Sequence, residues 1–291
     1  MPGHRAAHAA LTALIVAAGL VRIGEAAQAP ALDVVLDRLS AYLRDYETKV
    51  IELAADEQYK QWIKRRSGYG GDTVSRRNLK SMYFLVRLPD GRAWFGFRDV
   101  TRVDGRDVSR QGRPMEQVLG ERTSDAYDEA LAIMRENAKY NIGDVYRTIN
   151  LPLQALDLLH PQHRDRFDFK AAGRERVGGR ETAVVAFQER SMPGLVSDGF
   201  GGELLAYGRV WIEPTTGAVL RTELRFNGKA ARYLKESSIR VDYQRDQRLQ
   251  VLLPSEMEET YGLDIEVLHG VATYRNYRRF ETGARMVTQP R

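Results

Sequence analysis

His160 and His163 stand three apart in the run His-Pro-Gln-His, like a pair that could share a metal ion. Their support is thin. The five histidines fall at 4, 8, 160, 163 and 269, and no His-Glu-x-x-His motif is present. A second candidate is Ser255–Thr260 (SEMEET), whose Glu256, Glu258 and Glu259 are carboxylates of the kind used for acid/base work. A period of two puts Glu256 and Glu258 on one strand face, with Met257 and Glu259 on the other. That suits an edge or a wet face, and no partner base is visible in the sequence. The chain has no cysteine, so a thiolate metal site, a cysteine nucleophile, a disulfide and a lipobox are all excluded. Neither Gly-x-Ser-x-Gly nor Ser-x-x-Lys occurs, which leaves a serine hydrolase unsupported. Ser197–Gly202 (SDGFGG) is glycine-rich but lacks the Lys-Ser/Thr ending of a phosphate cradle, and Ser191–Gly202 reads as a flexible flap. Lys64–Arg77 carries five basic residues, three glycines and Tyr69; it reads as a mobile loop, solvated or touching phosphate groups. The expectation is therefore no catalytic residue, no metal and no cofactor.

The elements that would position such groups are clearer. Tyr207–Phe226 alternates with a period of two in both halves, and Pro214-Thr-Thr-Gly217 between them supplies a fixed φ and a residue free to take φ > 0. This predicts a β-hairpin. Met82–Leu88 and Ala93–Arg102 read as strands joined by a turn at Pro89-Asp90-Gly91, and Asp104-Gly105 turns the chain again. Leu32, Leu36, Leu39, Leu43, Tyr46, Val50 and Leu53 recur at spacings of three and four, predicting one amphipathic helix from about Leu32 to about Tyr59 that lies across a sheet. Asp125–Tyr140 reads as a helix with Tyr127, Leu131, Met134 and Ala138 on one face. Asn150 reads as the cap of a short third helix carrying Leu153, Leu156 and Leu159. Nearly everything after Phe167 suits strands. The whole is α+β, with roughly nine to eleven antiparallel strands, near the ceiling for one open twisted sheet.

Composition is that of a folded domain, with 291 residues, 43% hydrophobic and 29% charged. The formal charge of +5 comes from mixed signs, 44 Lys and Arg against 39 Asp and Glu, which argues against a nucleic-acid partner and allows peripheral contact with an anionic surface. Residues 1–29 read as a cleavable secretory signal: Arg5, then the apolar run Ala9–Leu20, then Ala27-Gln28-Ala29. Pro30 is awkward after a cleavage site, so Ala26 or Ala27 is the alternative last residue. A retained anchor is the competing reading, opposed by the short apolar run and by Arg22 and Glu25. The expectation is a periplasmic or secreted protein with one domain over 30–291 and a helical insertion at about 114–161.

Three segments carry a resemblance. They are Gly208-Arg-Val-Trp-Ile-Glu-Pro-Thr-Thr-Gly217 with its return Val219–Leu224, Leu253-Pro-Ser-Glu-Met257 opening a further strand, and the closing run Val271–Phe280. With the N-terminal helix they make the chain resemble the periplasmic lipoprotein-carrier and outer-membrane lipoprotein-sorting superfamily (LolA/LolB-like). Glu121–Pro161 departs from that pattern. With Phe97-Arg-Asp-Val and the run from Tyr140 to Asn150, it resembles a class of uncharacterised exported bacterial proteins instead. The resemblance implies a curved antiparallel sheet, an incomplete β-barrel, with the long helix and the insertion packed on its concave side. It also implies that lipid or lipoprotein acyl chains bind in an apolar cleft, without catalysis. On that reading Trp94, Phe97, Trp211 and Leu224 line the cleft. The competing readings are a cell-envelope interaction module with a filled core, binding envelope proteins, and a hydrolase whose residues converge only in space.

Overall fold

Two periodicities divide the chain between helix and sheet. The computed structural model describes residues 30–66, 71–87, 94–109, 112–121, 123–143, 151–197, 203–226, 236–263 and 265–280. The signal segment, Tyr69, the Pro89-Asp90-Gly91 turn, the Asn150 cap and the tip of the 191–202 flap lie outside the described residues. In chain order the elements are α1 (Leu32–Lys49), β1 (Leu53–Arg65), β2 (Thr73–Arg87), β3 (Trp94–Val103), β4 (Arg106–Asp107), α2 (Met115–Leu119), α3 (Ser124–Asn137) and α4 (Gln154–Leu158). There follow β5 (Phe167–Val177), β6 (Arg180–Glu189), β7 (Val196–Ser197), β8 (Glu203–Leu204), β9 (Ala206–Ile212), β10 (Val219–Phe226), β11 (Glu236–Arg245), β12 (Leu252–Gly262) and β13 (Glu266–Arg279).

Eleven strands form one open antiparallel sheet in the order β4-β3-β2-β1-β13-β12-β11-β10-β9-β6-β5, and β7 pairs with β8 apart from it. The fold is α+β as read from the sequence, and the sheet does not close: β4 and β5 are its two margins. The N-terminal and C-terminal strands meet in the middle, where β1 pairs with β13 from Leu53↔Arg279 to Arg65↔Glu266. The expected hairpin is β9–β10, paired from Val219↔Ile212 to Phe226↔Ala206. Its turn takes Gly217 at φ 76°, and a Cβ there would overlap the Arg38 carbonyl of α1. The turn thus needs glycine twice over, for its φ and for the close approach of the helix.

Helix α1 buries Val35, Leu36, Leu39, Leu43 and Tyr46. It stops ten residues short of the predicted end, and Glu52 at φ 54° turns the chain into β1. Leu53 continues the helical stripe, yet with Ala55, Tyr59 and Ile63 it also fits the period of two of β1. Lys64–Arg77, read as a loop, is strand at both ends: β1 runs to Arg65 and β2 starts at Thr73.

By strand alternation the sheet has two faces. The inner one carries Tyr59, Ile63, Leu79, Tyr83, Leu85, Leu224, Ile239, Val241, Met257 and Leu268, packed with α1 and α4 in the main core. The other carries Ala54, Phe84, Val86, Phe97 and Phe280, which bury Met115, Val118, Leu119, Ala126 and Ala130 of α2 and α3. The insertion is therefore split. Its α4 joins α1 on the inner face, while α2 and α3 cover the opposite face. Farther along that face, ion pairs replace apolar packing: Arg209 and Arg225 flank Glu223, Arg221 pairs with Asp242, and Arg240 with Glu258. At the margin, β5 is exposed through most of its length, with a register shift between Ala171 and Arg174 and Gly173 at φ 108°.

Candidate functional site on the inner face

The inner face has two halves. Over β6, β9, β10 and β11 it is apolar: Val185, Phe187, Val210, Ile212, Leu224, Phe226, Ile239 and Val241 are all buried. Leu36, Leu39 and Leu43 of α1 and Leu156 and Leu159 on and beside α4 belong to the same cluster. Polar fixings of this roof lie at its rim: Arg38 donates to the Pro214 carbonyl, Arg164 pairs with Asp37 at 2.7 Å, and His160 Nε2 lies 2.8 Å from Glu47. Asp157 of α4 sits beside Glu47 and the Trp94 backbone N–H. Burial pushes its carboxyl up to about 6, the Trp94 hydrogen bond pulls the other way, and the Glu47 carboxylate adds to the rise.

Over β1, β2, β3, β12 and β13 buried polar groups are set among the apolar ones of the same face. Four in-phase positions of β1 are Ala55, Glu57, Tyr59 and Gln61, all fully or almost fully buried. Arg98 of β3 forks onto Glu57, Nε donating at 2.5 Å and Nη2 at 2.7 Å. Its guanidinium lies 4.7 Å from the Tyr59 ring centroid and 5.8 Å from that of Tyr83. Burial opposes the Arg98 charge, but Glu57 beside it holds the guanidinium protonated well above its ordinary range. Glu259 of β12 accepts from the Tyr59 hydroxyl and, at 3.0 Å, from that of Tyr261. This approach depends on Gly270, where a Cβ would lie 2.5 Å from Glu259 Oε1 and 2.7 Å from Tyr59 Cε2. Gln61 is clamped at both ends, donating to Asn141 Oδ1 at 2.7 Å and accepting from Ile142 N–H at 2.8 Å.

Tyr46, Tyr83, Tyr243, Tyr274 and Tyr277 complete the face. Burial raises all five phenols, so they remain neutral donors rather than phenolate bases. Tyr243 donates to the Pro152 carbonyl and Tyr277 to the Pro254 carbonyl, both at 2.8 Å. Among the described residues, the buried hydroxyls of Tyr46, Tyr83, Ser81 and Ser237 have no hydrogen-bond partner. Over β1, β2, β3, β12 and β13 the face offers held carboxylates, the paired Arg98 guanidinium and the hydroxyls of Ser81 and Tyr83.

Of the four residues expected to line a cleft, Trp94 and Leu224 are on the inner face. Trp94 donates from Nε1 to the Val50 carbonyl at 3.0 Å and meets Tyr46 edge-on. Leu224 pairs across strands with Ile239 and Gly208. Phe97 and Trp211 point the other way. Phe97 packs under α2 and α3. Trp211 donates to Glu175 at 2.8 Å between Arg209 and Arg221, a bed that satisfies both its ring and its N–H. Glu259 corrects the reading of Ser255–Thr260 as an edge or wet face: β12 lies inside the sheet between β11 and β13, and Glu259 is 2% exposed. Sequence reasoning missed Glu57, Arg98 and Gln61. The available signal was polar residues at positions 57 and 61, in phase with Ala55, Tyr59 and Ile63. His160 is occupied with Glu47, and His163 lies beside the Gln162 side chain at 3.0 Å.

No protein-family model matches the chain. No curated protein matches its sequence either. Among solved structures the chain is similar to a DUF1329 family protein from Desulfovibrio piger, at 13% identity over 89% of this chain and 94% of that one, with a TM-score of 0.40. It is similar to a LolA superfamily protein from Nitrosomonas europaea, at 9% identity over 82% and 92%, with a TM-score of 0.29. It is also similar to the lipoprotein LppX of Mycobacterium tuberculosis, at 10% identity over 85% and 96%, with a TM-score of 0.24.

Proposed function

We propose that this chain is an exported periplasmic protein that binds acyl chains of lipid or lipoprotein on the inner face of its sheet, without catalysis, as a carrier or chaperone. The observation that carries the reading is the apolar half of that face, roofed by α1 and α4 through leucines, with charged fixings at the rim. Burial of apolar surface is non-directional, so methylenes can take the place of Leu36, Leu39 and Leu43 when the roof lifts. Each buried CH₂ then contributes about 0.8 kcal/mol. Trp94 and Leu224 are the lining residues on this reading, and α1 is the cover. Native mass spectrometry of the mature protein from a detergent-free periplasmic extract tests it. Adducts of lipid mass that vanish on organic extraction support the proposal. A clean apo mass, with no uptake of added phospholipid or acylated peptide, refutes it.

One observation favours a second reading. With α1 in place the leucines of the roof already fill the apolar half, and the opposite face carries rungs of ion pairs. A filled core with a charged outer surface suits an envelope interaction module, and a clean apo mass would favour it.

A further inference from the structure

The face of the sheet opposite α1 is settled in two of its three parts. Helices α2 and α3 cover it at one end, and along β9 to β12 its arginines are met by Glu223, Asp242 and Glu258. The third part is the far end of β1, β2 and β13. There Lys64 lies opposite Val74 on one side and Val267 on the other, and one rung along Trp62 lies opposite Arg76 and His269. These residues take the face opposite α1, because Tyr59, Gln61 and Ile63 fill the inner phase of β1. The Arg66 N–H donates to the Ile265 carbonyl at 2.8 Å and adds a last rung. Two apolar side chains stand well out of the surface here: Ile265 is 61% exposed and Val74 44%. The Trp62 ring is half-buried and stacked on His269, with 5.3 Å between centroids. The charge is one-sided. Lys60, Lys64, Arg66 and Arg76 are exposed, and Asp72 is held by Lys64 at 2.8 Å. Glu258, on the rung of Lys60, is taken by Arg240. Among the described residues, neither Lys60 nor Arg76 has an acidic partner. Exposed apolar side chains ringed by surplus cations mark an interaction surface.

We infer that this end of the sheet docks on the surface of an anionic lipid bilayer, with Ile265, Val74 and Trp62 entering the headgroup layer and Lys60, Arg66 and Arg76 meeting lipid phosphates. The inference goes beyond acyl binding and stands without it. Indole rings settle at the headgroup level of a bilayer. The field of an anionic bilayer is diffuse, and it attracts each nearby Lys or Arg without demanding a fixed geometry. That suits side chains that no neighbour holds in place. An acidic protein is better served by cations already fixed in direction, as Arg221 is fixed by Asp242 on the balanced part of the face.

The test is co-sedimentation of the full mature protein with vesicles of phosphatidylglycerol and phosphatidylcholine, against vesicles of phosphatidylcholine alone. Binding to the anionic vesicles should be at least about tenfold tighter, and should fall steeply as salt is raised. Arg76→Glu and Lys60→Glu should each weaken it at least about fivefold. Lys170→Glu, on the exposed margin β5, makes the same change in net charge and should leave it unchanged. All three side chains are exposed, so the variants should melt with the parent, which separates lost docking from a damaged fold. Brominated phosphatidylcholine in the anionic vesicles should quench the fluorescence of the parent but not that of Trp62→Phe, since Trp94 and Trp211 are buried. Equal binding to both kinds of vesicle, an equal loss in Lys170→Glu, or quenching that survives Trp62→Phe overturns the inference. Capture of poly-glutamate without vesicle binding also overturns it, and assigns the surface to an acidic protein.

Discussion

The two halves of the inner face solve the same problem, covering a sheet, by opposite means. Over β9, β10 and β11 the cover is aliphatic, and its members are exchangeable: many side chains of similar volume fill such a space. Over β1, β3 and β12 the cover is a set of directed contacts: Arg98 forks onto Glu57 and lies over the Tyr59 ring, Tyr59 donates to Glu259, and Gln61 is held by Asn141 and Ile142. The difference teaches where the molecule can yield. An apolar roof can be replaced by another apolar occupant, whereas a closed charge network resists any change that leaves one partner behind.

The strongest test removes one partner. Arg98→Ala strands the Glu57 carboxylate, which is 1% exposed, and should lower unfolding stability by about 4 kcal/mol in urea titration. Replacing both, Glu57→Leu with Arg98→Met, should be milder than either single change. If Arg98→Ala is no worse than a core leucine truncation, the contrast between the halves collapses. Next comes that truncation: Leu224→Ala should cost about 3 kcal/mol, and Leu224→Met less than about 1.5 kcal/mol. Gly270→Ala should cost about 2 kcal/mol, because its methyl group displaces both Glu259 and Tyr59.

The roof carries one ionisable exception, Asp157 of α4. Its folded carboxyl is raised from 3.8 to about 6, so the folded state holds the proton more tightly than the unfolded state. The stability it contributes is present below pH 3.8 and is lost as pH rises through about 6. Allowing for partial exposure, the swing is on the order of 2 kcal/mol. Urea titrations from pH 4 to pH 7 should show that decline in the parent relative to Asp157→Asn; parallel profiles would count against it. The smallest effect is expected on the opposite face. Removing the half-exposed Arg240–Glu258 pair by Arg240→Ala should change stability by less than about 1 kcal/mol, and less again in high salt.

What could be read beforehand follows from these same two chemistries. The β9–β10 hairpin and the stripe of α1 were legible because apolar spacing alone defines them. Strand β1 was not. Glu57 and Gln61 occupy inward positions, so the network that makes this half distinctive also erased the alternation that would have marked the strand. The site was hidden further by distance along the chain. Glu57 and Arg98 are 41 residues apart, and Tyr59 and Glu259 are 200 apart, separations that no local motif spans. Trp94, Phe97, Trp211 and Leu224 were chosen for size. Size does not say which side of a strand a residue takes, and two of the four went to the far side.

The open sheet leaves β5 as a free margin, and a free strand is a template on which a second copy could dock edge to edge. Here the template is spoiled from within. The bulge between Ala171 and Arg174, with Gly173 at φ 108°, breaks the repeat of donors and acceptors midway, and Lys170, Arg174, Glu175 and Arg176 crowd charge along the rest. A partner strand would lose register after a few residues. The margin therefore guards the molecule against fibre-like polymerisation, and straightening it by deleting Gly173 would put that protection at risk.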